Sequence, residues 1–256
     1  MLQKNDFQEN RRTLVFIHGL SGSLSAWLEY EKKFSSDYNV LTYDLRGHGK
    51  SMRPTTYDQY TIKLFVHDLT NLLHELKIEK CTLISHSFGT LIALGFLLAH
   101  PEVVEATVFL SPALENGESK LAYIEYPIIW LLRRIMNLLP MIRHTGIHVN
   151  YSKYYGCGDW NIRRISADVP NTGFHSYFNC LDHIYRYRCG DISKIAIPTM
   201  IIHGTHDTYS SYKKSVVASK KIRNCKLVLL QGANHIVVLN NFEEVAEEIE
   251  GFVRRV

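Results

Sequence analysis

One short stretch constrains this chain more than any other. Cys81–Ile84 is an apolar run, and Leu91, Ile92, Leu94 and Leu98 follow with helical spacing. Only Ser85-His86-Ser87-Phe88-Gly89 and Thr90 lie between them. A strand that reverses into a helix in so little space turns tightly, and the positions two before and two after its apex must be small. With Ser87 as apex those positions are Ser85 and Gly89; with Ser85 as apex, one would be the bulky Leu83. The turn therefore selects Ser87. It presents the hydroxyl at a helix N-terminus, where backbone N–H groups face developing negative charge. A plain N-cap serine would account for the helix start but not for the strand before it. Ser85 stands where the φ freedom of glycine would be usual.

The rest of the chain repeats the strand–helix alternation. Apolar runs at Leu14–Ile17, Val40–Tyr43, Cys81–Ile84, Thr107–Leu110, Thr199–Ile202 and Leu227–Leu230 read as strands covered on both faces. Helical patterns occupy 59–77, 88–99, 212–222 and 242–255. That order predicts an α/β chain: a mostly parallel central sheet flanked by helices, with right-handed crossovers. The rhythm breaks in the middle. Residues 113–190 read as a helical cap or lid insertion, leaving 1–112 and 191–256 as the core. Within it, 127–139 is an amphipathic helix, with Ile128, Leu131, Leu132, Ile135, Leu138 and Leu139 on one face and Trp130, Arg133, Arg134 and Asn137 on the other. The apolar face is expected to pack over the strand ends. Trp130 and the arginines also allow peripheral contact with a lipid surface.

Composition narrows the function classes. The 29 basic and 25 acidic residues give a net charge of +4, scattered along the chain, so no nucleic-acid partner is expected. Five cysteines with no Cys-x-x-Cys pair predict reduced thiols, a cytoplasmic setting and no disulfide framework or zinc site. His203 and His206 flank Asp207 without a third ligand in a fitting pattern, so no metal is expected there. The polar N-terminus has no apolar signal segment.

Four motifs then occur in order. They are His18-Gly19-Leu20-Ser21-Gly22, Asp44-Leu45-Arg46-Gly47-His48-Gly49-Lys50-Ser51, the turn at Ser87, and the pair formed by Asp207 and His235, each after a strand. Together they resemble the α/β-hydrolase superfamily, in its serine esterase and lipase-like members, over nearly the whole chain. The resemblance implies a triad of Ser87 as nucleophile, His235 as general base and Asp207 as its orienting acid. It implies an oxyanion hole from the backbone N–H groups of Leu20 and Phe88. His18, Gly19, Ser21, His86 and Trp130 are expected near the pocket, and no cofactor is implied. The expected substrate is a small-molecule acyl ester of short to medium chain length. Monoacylglycerol lipase, thioesterase and carbon–carbon hydrolase chemistry, or a slow ligand-binding receptor, are the alternatives. Relatives that open epoxides use an aspartate at the apex, where this chain has Ser87. One departure stands out: too few residues precede Leu14 for the family's antiparallel strand pair. This leaves room for one short strand at most, and for either a monomer or a dimer paired at the sheet edge.

Overall fold

The computed structural model describes residues 2–114, 122–139 and 146–256. Its centre is a seven-stranded sheet. The strands are β1 (Leu2–Lys4), β2 (Thr13–Ile17), β3 (Asn39–Tyr43), β4 (Cys81–His86), β5 (Val104–Leu110), β6 (Thr199–Gly204) and β7 (Cys225–Leu230). They are ordered β1-β3-β2-β4-β5-β6-β7, all parallel except β1. The short β1 pairs antiparallel with β3, Leu2 opposite Tyr43, and takes the edge position that β3 would otherwise hold.

The inner strands are buried at consecutive positions because both sheet faces are covered. Val15, Ile17, Leu41 and Leu83 point to one face. There they meet α2 (Ile62–Glu75) and α3 (Phe88–Ala99). Leu14, Phe16, Val40 and Ile84 point to the other, against α1 (Leu28–Phe34) and α9 (Phe242–Val253). The remaining core helices are α7 (Tyr212–Lys221) and the short α8 (Val237–Asn240). From β2 the chain moves outward to β3 and then returns to place β4 on the other side of β2. The loops after β2 and β4 therefore diverge from adjacent strand ends, the position at which open α/β sheets build sites.

Between β5 and β6 lie α4 (Ala122–Leu138), α5 (Ile162–Thr172) and α6 (Phe174–Arg186). This segment sits on the loops that follow the strands. Val149 O accepts from Ser25 Oγ, Ser21 O accepts from Thr172 Oγ1, and Arg53 donates to Asn171 O.

The faces of α4 are the reverse of the sequence expectation. Arg133 is 8% exposed, with its guanidinium 4.2 Å over the Tyr57 ring and 3.5 Å from Asp182 of α6. Asn137 pairs with Asn179 at 3.1 Å. The apolar side faces solvent: Leu131 is 52% exposed and Leu138 85%, with Ile124, Ile128 and Ile135 beside them. The physical reason lies in α6, which turns Ser176, Asn179 and Asp182 inward with at most 1% exposure. These buried polar groups need partners: Ser176 pairs with the Tyr60 hydroxyl, Asp182 accepts from the Tyr57 hydroxyl, and the polar face of α4 adds Asn137 for Asn179 and Arg133 for Asp182. No disulfide joins any of the five cysteines, all of which lie among the described residues. Among the described residues, no helix is long and apolar enough to cross a membrane. Asp182→Ala should cost about 3–5 kcal/mol in urea unfolding, because it strands the buried Arg133 charge. Leu131→Gln should stay within about 0.5 kcal/mol.

Candidate active site

The site is assembled from four loops, each at the C-terminal end of a strand. Ser87 sits between β4 and α3 at φ 51°, ψ −116°, a left-handed conformation that costs a non-glycine residue on the order of 1–3 kcal/mol. Packing sustains it. Ser87 N–H donates to Leu110 O at 3.0 Å. A Cβ on Gly89 would stand 2.6 Å from Ile17 O and 2.7 Å from His18 O, so no larger residue fits two positions past the apex.

His235 follows β7 and reaches back to the serine. Its Nε2 lies 2.9 Å from Ser87 Oγ and its Nδ1 2.7 Å from Asp207 Oδ2. A carboxylate only accepts, so Nδ1 carries the proton and Nε2 is free to accept the serine hydrogen, which is the tautomer a general base needs. Asp207 Oδ1 accepts the Tyr209 and Ser210 N–H groups, both at 2.8 Å. Its Oδ2 is also 2.9 Å from His203 Nε2, whose Nδ1 contacts Ser215 Oγ at 2.6 Å. Burial alone would raise the Asp207 carboxyl. His203, His235 and the Ser210 N–H outweigh burial and hold it well below the usual carboxylate range. The folded carboxyl thus titrates below the unfolded one. Its stabilisation is complete above about pH 4 and is lost as pH falls through the lower folded value.

The loop after β2 passes directly beside the serine: a Cβ on Gly19 would be 3.3 Å from Ser87 Cβ. His18 Nδ1 donates to Gly19 O at 2.8 Å while its Nε2 accepts the Leu45 N–H at 3.0 Å. Gly22 N–H donates to the same Gly19 oxygen at 3.1 Å. A trans peptide is planar, with its C=O and N–H opposed, so fixing the Gly19 carbonyl toward these donors aims the Leu20 N–H the other way. Phe88 opens α3, where its N–H has no acceptor within the helix. Burial lowers the His18 pKa and keeps this imidazole neutral. His86, beside the apex, donates from Nε2 to His235 O at 3.0 Å; burial, then the nearby His235, pushes its pKa down to about 3.

Sequence reasoning singled out His18, Gly19, Leu20, Ser87, Phe88, His86, Asp207 and His235, and the fold brings them together. Ser21 is buried in the same loop, at φ 60°, its carbonyl held by Thr172. Trp130 joins none of these hydrogen bonds; it lies at the margin of the exposed face of α4, 5.6 Å below the Arg134 guanidinium. Three further participants were given no role at the site by the sequence reading. His203 looked like half of a metal pair but is the second imidazole on Asp207. Asp44 accepts the Leu24 and Lys50 N–H groups, both at 2.9 Å, and His148 Nε2 at 2.8 Å, which ties the β3 loop to the insertion. Asp159 of the insertion accepts the His235 N–H at 2.9 Å.

A strained serine, a histidine relayed to a carboxylate and a loop of inward-turned peptide groups on this sheet define an α/β hydrolase. A family model described as alpha/beta hydrolase fold matches residues 12–242, and the chain belongs to that family. An uncharacterised protein of Mycobacterium tuberculosis is 24% identical, covering 94% of this chain and 74% of its own. A diacylglycerol lipase of Danio rerio, described as sn-1-specific, is 41% identical over 119 residues, covering 44% of this chain and 36% of the lipase. Among solved structures, an esterase from Thermogutta terrifontis superposes with a TM-score of 0.76 at 14% identity, over 100% of this chain and 93% of that one. An enol-lactonase from Burkholderia xenovorans does so with a TM-score of 0.76 at 22%, over 99% and 96%. At these identities the two structures share the fold.

His18→Leu removes one of the two donors that hold the Gly19 carbonyl and loosens the aim of the Leu20 N–H. It should lower kcat on an ester by about 10²–10³ while KM changes little, as measured by steady-state kinetics.

Proposed function

We propose that this chain is a serine hydrolase that cleaves carboxylic esters of short to medium acyl chains. The observation behind this reading is the unbroken relay from Ser87 Oγ through His235 to Asp207, 2.9 and 2.7 Å long, at an apex flanked by backbone donors. As Ser87 Oγ attacks the acyl carbonyl, His235 Nε2 takes its proton. The charge forming on the carbonyl oxygen falls to the N–H groups of Leu20 and Phe88. His235 then protonates the departing alkoxide, leaving the acyl group on Ser87. Water attacks that ester with the same base, releasing the acid and restoring the hydroxyl. No step needs a cofactor.

A relative named epoxide hydrolase 1, from Caenorhabditis elegans, is 22% identical over 96% of this chain. Opening an epoxide through a covalent ester calls for a carboxylate nucleophile, and Ser87 occupies that position here. The thioesterase and carbon–carbon hydrolase alternatives use the same oxyanion site and are separated by their products. A fluorophosphonate probe should label the wild type and not Ser87→Ala. Turnover across a p-nitrophenyl ester series should fall by on the order of 10⁴–10⁶ in that variant. Labelling with no ester turnover would redirect the reading to those alternatives or to a receptor.

A second reading, hydrolysis of acylglycerols at a lipid surface, is favoured by α4. Its outward stripe of Ile124, Ile128, Leu131, Ile135 and Leu138 runs the length of the helix, with Trp130 and the exposed Arg134 along one border. Burying each such side chain gains roughly 1.5–3 kcal/mol, so leaving five in water is costly unless something covers them. Trp and Arg at the margin of an apolar face suit a headgroup boundary. The chain should co-sediment with anionic vesicles, and Leu131→Gln with Ile135→Gln should abolish this without changing kcat/KM on a soluble ester. Sedimentation unchanged in the variant removes the lipid reading.

A further inference from the structure

Five residues of the insertion, Gly156 to Trp160, are bolted to the two loops that carry the proposed acid and base. Cys157 O accepts from Asn234 and Asn240 Nδ2, both at 2.9 Å. Gly156 N–H donates to Asn240 Oδ1 at 2.8 Å, and Trp160 Nε1 donates to Thr208 Oγ1 at 3.1 Å. Asp159 stands at the centre of this strap, 5% exposed. Its Oδ1 accepts the His235 N–H at 2.9 Å. Its Oδ2 accepts both the N–H and the hydroxyl of Thr208, at 3.0 and 2.8 Å. Thr208 directly follows Asp207 in the chain. The Asp159 carbonyl accepts from Arg164 Nη2 at 2.7 Å and from Tyr209 OH at 2.8 Å.

One carboxylate from the insertion thus grips the backbone of the base and the backbone next to the acid. We infer that Asp159 is a positioning residue through which the seating of the insertion sets the Asp207–His235 geometry. With the strap docked, the acid and base loops are held at a fixed separation. Proton transfer from Ser87 then depends on that separation, because the Asp207–His235 contact is made between the two loops. The inference rests on the serine-hydrolase reading above, and it adds a residue with which no substrate atom need make contact.

Charge contributes alongside geometry. The groups facing His235 are Asp207 at Nδ1, Ser87 at Nε2, Asp159 at its N–H, and the rings of His86 and Tyr209 at 5.0 and 5.1 Å. Behind them, His203 faces Asp207, and Arg164 faces Asp159 with Asp168 at 2.8 Å. Removing the Asp159 carboxylate takes away one of the two anions that favour the imidazolium and loosens the other.

The test is the rate of fluorophosphonate labelling across pH in the full-length wild type, Asp159→Ala and Asp159→Asn, with folded fraction and melting temperature measured on the same samples. Asparagine keeps the volume but has a single acceptor oxygen, so it cannot accept from His235 and Thr208 at once, and it serves where alanine compromises folding. The expected result is a fall of about 10²-fold in plateau rate for alanine and less for asparagine. The acid limb should move to lower pH in both. On any ester turned over, kcat should fall and KM should hold. A plateau and an acid limb matching the wild type overturn the inference. So does a loss that only tracks the unfolded fraction with the limb unmoved, or a rise in KM with kcat intact. Absence of labelling in the wild type defeats the serine-hydrolase reading itself, a different outcome from equal labelling in all three proteins.

Discussion

The structure depends on how closely two loops approach at the end of the sheet. Gly89 lies against the carbonyls of Ile17 and His18, and Gly19 lies against His86 and Ser87. The loops after β2 and β4 are therefore in backbone contact, which only the missing Cβ atoms permit. That contact keeps Ser87 at a positive φ, places Phe88 N–H at a bare helix start, and brings the Gly19–Leu20 peptide alongside the hydroxyl. The sheet topology makes it possible, because β2 and β4 are neighbours whose chains leave in different directions. Strain at the apex is the cost, repaid by the core clusters on both sheet faces rather than at the site.

Three buried carboxylates, Asp44, Asp207 and Asp159, hold the remaining loops, each accepting two backbone N–H groups, from two separate segments at Asp44 and Asp159 and from its own turn at Asp207. A buried carboxylate with one donor would be expensive; with three or more it is satisfied, and each bond to the charged group is worth on the order of 1.5–3 kcal/mol. Loops lack the repeating ladders of helices and strands, so charged acceptors are an economical means of fixing them. Asp44 locks the start of the segment following the oxyanion loop, Asp207 orders its own turn through Tyr209 and Ser210, and Asp159 joins two turns.

Much of this was legible in the sequence because it is dictated locally. Consecutive apolar runs mark strands covered on both faces, and the α3 pattern begins where the tight turn must end. Ser87 follows from small-residue sterics, and Asp207 and His235 from the resemblance that the order of the motifs carries. What was not legible depends on distant partners. The face of α4 was read from its own periodicity, yet the buried Asn179 and Asp182 of α6 decide which side turns inward, and the spacing within α4 carries no trace of them. Asp159 sits in a turn with neither a motif nor a periodic pattern; its role exists only because the chain returns to β6 and β7. His203 and Asp207 lie four residues apart in one motif, but whether an imidazole binds a metal or a carboxylate is settled by the direction of its ring. The edge at β3 was recognised as exposed, and β1, with no alternation to announce it, covers it by backbone pairing alone.

These observations bear on how such a chain can change its substrate. The proposed nucleophile and oxyanion donors stand on loops of the sheet and would survive replacement of the segment between β5 and β6. The acid and the base do not stand on the sheet alone, since their loops are tied to that segment through Asp159 and its neighbours. The β3 loop is likewise tied to it through Asp44 and His148. A new insertion that reshaped the pocket but lacked an acceptor facing His235 and Thr208 would leave two N–H groups and a hydroxyl without partners, beside the most demanding geometry in the molecule. On the serine-hydrolase reading proposed above, substrate selection and proton transfer are thus joined through the same segment, and a change to the first is constrained by the second.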